Sequence, residues 1–565
     1  MKGLRILMDK ITRNIVLVLF AISVFFLTMV SIFGSCFLNH DEYTFFVSDN
    51  GAVHVVIWIF FMITCLIGRK YLKGKISDNA KKVIWFVVLA TYAITLIVLS
   101  VYVAIEPRAD QKSVVDTALA MIQGDYSAYQ PGGYMYVYPN QIGIVYFFYY
   151  LFQIFPFGIK TVCVLNAISA LVTVIGMNSI GKVINKSFGD RFLTGIVTIG
   201  FLPMAFYTTF IYGNLIGMAL STVGIWCALK FFSDRKKIHI IIGVLTSAFA
   251  VIVKQNFIIP LVGIVIFLVL DMIKKPNRKT FIFCVSVLVA TLGISSVINI
   301  RVDCITGEKI SKGVPALAWV VMGMQEGYMA YGWHNQYNED VFRNNNCDTD
   351  STNEIVIRDF KERIGEFAKK PAYAMKFYFQ KTISQWNNPT FECFWINDLS
   401  KRASDGIKVK KLPGWLENLA GEPGSKVLTW YCNVYQSLIL LGVCLWLIFG
   451  HKEITTEQLL PATIFLGGFI FHLFWEAKCQ YVIPYFVLLF PYAVRGFQLF
   501  LQQIVHILEN GKDEKVSVLC RKNKKMVGIV LGMVIVVFVS TVGHSIVNKV
   551  FGFSESAYDT FLESE

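Results

Sequence analysis

Long apolar runs separated by short polar intervals recur along almost the whole chain. Asn14–Gly34, Val83–Ile105, Thr280–Ile300 and Met526–His544 are each long enough for a helix to cross ~30 Å of hydrocarbon, which takes ~20 residues. Reading every such run predicts spans at about 15–35, 52–68, 83–105, 161–181, 192–208, 212–232, 239–253, 257–272, 280–300, 429–449, 459–475, 482–500 and 526–547. The fold expected is all-α and polytopic, with about 13 transmembrane helices. One apolar stretch is set apart. Tyr146-Phe147-Phe148-Tyr149-Tyr150, with Phe152, Phe155 and Phe157, has the aromatic density of a membrane–water boundary. The segment 142–157 is therefore expected at the outer leaflet, without crossing.

Polar segments divide the rest. A first membrane block (1–105) leads into a large outer loop with juxtamembrane helices (106–160). A second block (161–300) leads into a small α-rich outer domain (301–428), and a last block (429–565) ends in an acidic tail. Within the first loop, Ser113-Val114-Val115-Asp116 has the form of a capping box. It predicts a short helix with Val115, Ala118, Leu119 and Ile122 on one face and Gly124 at its end. In the outer domain, Thr352–Lys370 and Ala372–Trp386 read as amphipathic helices parted by Pro371, and Trp386-Asn387-Asn388-Pro389 stops the second. Trp333, Trp395 and Trp415 add aromatics able to stack on sugar faces.

Composition agrees with lipid as solvent: 55% of residues are hydrophobic and 16% charged, against ~25% charged in soluble domains. The net charge of +14 gathers in short loops: Arg69–Lys82, Lys182–Arg191, Arg235–Lys237, Lys274–Lys279 and Lys512–Lys525. That is the positive-inside pattern, and it places the N-terminus in the cytoplasm and Asp110 outside. No basic ribbon interleaves with exposed aromatics, so nucleic acid is excluded as a partner. The twelve Cys lack Cys-x-x-Cys spacing and read as buried apolar side chains. Cys304, Cys347 and Cys393 fall in the outer segment, and nothing selects a pairing.

Candidate chemistry lies at the outer ends of the spans. Asp110, beyond the third span, is placed to take a proton from a hydroxyl. Lys254, in a turn between two apolar spans, needs water or an anion, and a lipid-borne phosphate is an anion at that depth. His472 and Glu476, four apart, are expected on one helical face, where they can hold a cation or bond sugar hydroxyls. Lys478 and Tyr481 are candidate phosphate contacts. Ionisable groups are scarce at the span centres, unlike the usual pattern of transporters.

Several short motifs carry a resemblance: Ala109-Asp110-Gln111, Tyr136-Val137-Tyr138-Pro139, Ile211-Tyr212-Gly213-Asn214, Val253-Lys254-Gln255-Asn256, and Glu476-Ala477-Lys478-Cys479-Gln480-Tyr481-Val482-Ile483-Pro484. In layout and motifs the chain resembles the C-type glycosyltransferase superfamily, which includes protein O-mannosyltransferases and lipid A aminoarabinose transferases. The resemblance implies a polyprenyl-phosphate sugar donor, an outward site, Asp110 as general base and Lys254 on the donor phosphate. Gln111 stands where many relatives carry a second acid, and Gln480 where Arg often precedes the Tyr, which shifts the phosphate contact toward Lys478. The expected activity is inverting transfer of a sugar to an acceptor hydroxyl on an envelope glycan, teichoic acid, lipid or protein. Gln111, Tyr138, Tyr212, Trp333, His334, His472 and Glu476 are the expected substrate contacts. No cofactor is required by this reading, and a divalent cation is left open. A lipid-linked glycan flippase or exporter, and a non-catalytic envelope assembly protein, are the competing classes.

Overall fold

The computed structural model describes residues 2–39, 42–72, 75–156, 158–185, 192–397, 411–421, 424–510, 523–557 and 560–561. The basic segments 186–191 and 511–522 and the end of the acidic tail lie outside them. Among the described residues, eleven helices are long and apolar enough to cross a membrane, from Asp9–Phe33 to Lys524–Val542. Lys237–Val253 is apolar but shorter.

The segment expected as a span at 192–208 is not one helix. Leu193–Gly200 stops, and Leu202–Phe206 restarts after a break at Phe201. Pro203 explains this, because it has no N–H to continue the ladder. The carbonyls freed at the break are not wasted: Tyr435 Oη donates to Val197 O at 2.6 Å and Tyr431 Oη to Gly200 O at 2.8 Å. The broken segment still travels with its neighbour, the helix Ile159–Ile184. Asn178 accepts from Gly195 N at its start, and Asn166 donates to the carbonyls of Thr208 and Phe210 at its end. Those two asparagines lie about 18 Å apart along the helix. With Lys237–Val253 and this broken segment added to the eleven, the described residues hold thirteen apolar segments.

Contacts sort those faces cleanly. On one face, Lys274 meets Asp9 and Glu457, Arg235 meets Asp271, and Gln458 donates to Val183 O. This face carries the basic turns Arg235–Lys237 and Lys274–Lys279. The other gathers Asp110, Lys254, the outer domain and the limb 475–479 that links two spans. The helix Ile142–Ile154 sits here, with Gly143 against Ile252. At 13 residues it is too short to cross, as its aromatic content suggested.

Two elements on the site face were not foreseen. The first span runs straight into an antiparallel hairpin, Gly34–Leu38 paired with Thr44–Ser48. Cys36 N donates to Asn387 O and Thr44 N to Met329 O, docking the hairpin onto the outer domain. The outer domain contributes helices Tyr337–Asn344, Thr349–Lys369 and Pro371–Trp386, so the break at Pro371 is where the sequence put it. Its continuation turns inward, however. Trp386, Phe391, Cys393 and Ile396 join the main core of the bundle, where Phe391 packs on Phe201 and Phe486.

Candidate functional site

Asp110 lies inside a helix, correcting the loop position expected for it. The helix Ala109–Ile122 begins four residues before Ser113, so the capping-box reading fails and Asp116 pairs with Lys112 instead. A carboxylate in a first turn is favoured by the helix dipole. One face of this helix is buried through Val114, Val115, Ala118 and Met121, which fixes the height of Asp110 above the bundle. Asp110 remains exposed, and Tyr134 Oη donates to its Oδ1 at 3.2 Å. Burial, with Tyr212 and Asp110 close by, holds the Tyr134 hydroxyl well above its ordinary pKa. Tyr134 therefore stays a neutral donor and orients the carboxylate.

Gln111 is buried, and its Oε1 accepts from Ile211 N at 2.9 Å. That bond needs an acceptor on a neutral side chain deep in the protein, and it makes Gln111 a prop for the 207–213 turn. The turn presents Tyr212. Gly213 then lets the backbone lie against the end of the helix Lys237–Val253, since a Cβ there would meet Val253 O at 2.4 Å.

Lys254 follows that helix in extended conformation, before the turn Gln255–Phe257. Its ammonium sits 3.6 Å from the centre of the Tyr212 ring and 5.9 Å from that of Tyr481. Among the described residues it has no hydrogen-bond or ion-pair partner. Burial lowers its pKa to about 8, against the pull of Asp110 and Glu476. The stem is enclosed, while part of the side chain opens on a narrow cleft that continues into solvent. Met204, Leu215, Met218, Phe257, Ile483 and Pro484 make the cleft apolar, and Asn214, Asn256, Gln480 and Tyr481 give it a polar end. Asn214 Nδ2 donates to Gln480 Oε1 at 3.2 Å. Three motifs far apart in sequence thus meet on one wall.

Glu476 completes the group. The helix before it stops at Phe474, so Glu476 and His472 do not share a helical face as the spacing suggested. His472 is buried against Phe471, Tyr481 and Tyr485. Glu476 is buried too, and Tyr481 Oη donates to its Oε2 at 3.3 Å. Burial raises its pKa, against the pull of His334 and Lys478. Among the described residues no group of three or more His, Cys, Asp or Glu is arranged for a metal ion. Asp110 and Glu476 are the carboxylates whose charge reaches Lys254.

Other expected contacts are engaged within the protein. Lys478 Nζ pairs with Glu42 Oε1 at 2.8 Å. Burial works against its charge, but Glu42 and Glu392 hold its pKa well above the lysine norm. Tyr138 Oη donates to Glu339 Oε2 at 2.9 Å. Trp333 is fully buried with Nε1 donating to Ser384 Oγ at 2.9 Å, so it packs the outer domain and offers no face to a sugar. Trp415 is exposed, and the side chain of Trp395 lies outside the described residues. Sequence reading missed Tyr134, Glu42 and Glu392. Only Tyr134 left a trace, in the turn Gln130–Tyr134.

No family model and no curated protein sequence matches the chain. Among solved structures, it is similar to the crystal structure of ArnT from Cupriavidus metallidurans bound to undecaprenyl phosphate. The match covers 74% of this chain and 78% of that one, at 13% identity and a TM-score of 0.31.

Proposed function

We propose that the protein is a membrane glycosyltransferase that moves a sugar from a polyprenyl phosphate to an acceptor hydroxyl at its site face. The observation that carries this reading is Lys254: an ammonium with only ring faces for company, at the polar end of an apolar cleft, within electrostatic reach of Asp110. An isoprenoid chain fits the apolar wall, and its phosphate supplies the missing anion. The donor phosphate then lies on Lys254, and the sugar extends toward Asp110.

The chemistry balances with these groups. Asp110 accepts the proton of the acceptor hydroxyl as that oxygen bonds to the anomeric carbon from the side opposite the phosphate. The bond from the anomeric carbon to the phosphate oxygen breaks, and polyprenyl phosphate leaves as an anion stabilised by Lys254. Configuration inverts in a single displacement. Tyr481 lines the same cleft with Glu476 bonded to its hydroxyl, and with His334 these groups are suited to hydrogen-bond sugar hydroxyls. Lys478, already paired with Glu42, is the weaker candidate for the phosphate. Site face is read as the extracellular one, because those basic turns lie at the other.

The test is sugar transfer by the purified protein in vesicles loaded with a polyprenyl-phosphate sugar and an envelope acceptor extract. A new glycosidic bond that depends on Asp110 is expected. Passage of the donor lipid across the vesicle with no such bond would overturn the reading in favour of a flippase.

A further inference from the structure

The limb from Trp475 to Cys479 joins the helices Leu460–Phe474 and Cys479–Phe486 and carries Glu476 into the site, with Tyr481 just beyond. It is tied to its surroundings at nearly every residue. Lys381 donates to the carbonyl of Trp475 at 2.7 Å, and Ala477 N donates to Gly332 O at 2.8 Å. Gln385 Nε2 donates to Lys478 O at 3.3 Å, and Cys479 N to Glu392 Oε1 at 3.0 Å.

One tie differs from these in kind and in origin. The Lys478–Glu42 pair is ionic, and its side chains are only 17% and 8% exposed. Glu42 belongs to the hairpin that follows the first span, more than four hundred residues earlier in the chain. Its backbone is left-handed at φ 60°, as is that of Glu392 at φ 64°. Side chains other than glycine hold that conformation where the surroundings over-determine it, often at functional sites. Lys478 also sits close enough to oppose the charge on Lys254, while Glu476 supports it. The hairpin therefore has a hold on both influences.

We infer that Glu42 is a positioning residue: by binding Lys478 it fixes the limb that holds Glu476 on the Tyr481 hydroxyl and the Tyr481 ring next to Lys254. With Lys478 so engaged, Lys254 is, among the described residues, the cation lining the cleft that can meet an incoming phosphate. This deepens the proposed site and borrows from that reading only its kinetic consequence, a weaker donor interaction when the pair is broken. A hairpin that merely glued the outer domain to the bundle would not tune the charge of a lysine on a different span.

The test reads Lys254 directly in the full-length protein held in lipid nanodiscs, by its labelling with an amine-acylating reagent across a pH series and peptide mass spectrometry. In Glu42→Gln the labelling midpoint is expected to fall, raising labelling of Lys254 at neutral pH about threefold, which is half a pH unit. The charge swap Glu42→Lys with Lys478→Glu should return the midpoint to wild type or above it and restore the melting temperature, which Glu42→Gln lowers by stranding a buried ammonium. Glu42→Asp, which keeps the charge but withdraws it by one methylene, should shift labelling in the same direction, and serves where the amide does not fold. Unchanged Lys254 labelling in either variant, or a loss of melting temperature with labelling unmoved, would overturn the inference and leave Glu42 a structural tie. Wild-type protein that labels as expected yet transfers no sugar would overturn the functional reading alone.

Discussion

At the face opposite the site, Arg235 gives Asp271 two hydrogen bonds, one of them at 2.6 Å from Nη2, and Thr280 donates to the same carboxylate at 2.8 Å. Lys274 there is shared between Asp9 and Glu457. At the site face, among the described residues, Lys254 has only the rings of Tyr212 and Tyr481, and Asp110 has one tyrosine hydroxyl and open solvent. Both faces bring charge to the ends of apolar helices, where an uncompensated charge is costly. The difference is that one set is closed by the protein's own counter-charges and the other is left open to be closed by something else. Lys381 sharpens the contrast. Burial lowers it to about 7, much as it lowers Lys254, yet its ammonium donates to the carbonyls of Gly323, Leu473 and Trp475. A buried lysine alone says little, and the partners it lacks say more.

The contrast breaks most sharply at Asp110. Replacing it by Asn keeps the Tyr134 contact and removes the base, so sugar transfer should fall on the order of a thousandfold with melting unchanged. Transfer near wild type would return Asp110 to the rank of a surface residue. At the opposite face the effect should be the reverse. Asp271→Ala strands Arg235 and should cost on the order of 3 kcal/mol of stability, seen as a lower melting temperature in detergent, while transfer per folded molecule holds.

Lys254→Met comes next. It keeps the length of the stem without the charge, and donor-dependent kcat/KM should drop about a hundredfold while acceptor KM stays put. The smallest effect is in pH. Lys254 titrates near 8, and its charged form meets the phosphate, so the stabilising charge is present below that pH and lost above it. Between pH 7 and 9 the affinity of the free protein for polyprenyl phosphate should fall about tenfold, and in Lys254→Arg the fall should vanish. A flat profile in wild type would mean that some other cation holds the donor.

How much of this could be read from residues in order is uneven, for physical reasons. Hydrophobic spacing reports helix length and aromatic content reports the interface, so the spans and the short helix Ile142–Ile154 were legible. Pro371 separated two helices as expected, because a missing N–H acts locally. Pro203 has the same chemistry inside a longer apolar run, and there the hydrophobic pattern masked the break. Trp333 was misread for a different reason. An indole that stacks on a sugar and one that donates to Ser384 in a core look alike in sequence.

The chain order alone determined that this is a multi-pass membrane protein, where most of its long apolar helices run, and that Lys254 lies at the end of one. Those properties follow from the local cost of burying backbone and charge, which each stretch of sequence settles for itself. Only the tertiary structure decided which charges are matched. Lys478 and Lys254 look equivalent in the sequence, and one meets Glu42 from a distant hairpin while the other meets only aromatic rings. Pairing depends on where separate helices place their ends in space, and no local pattern records that.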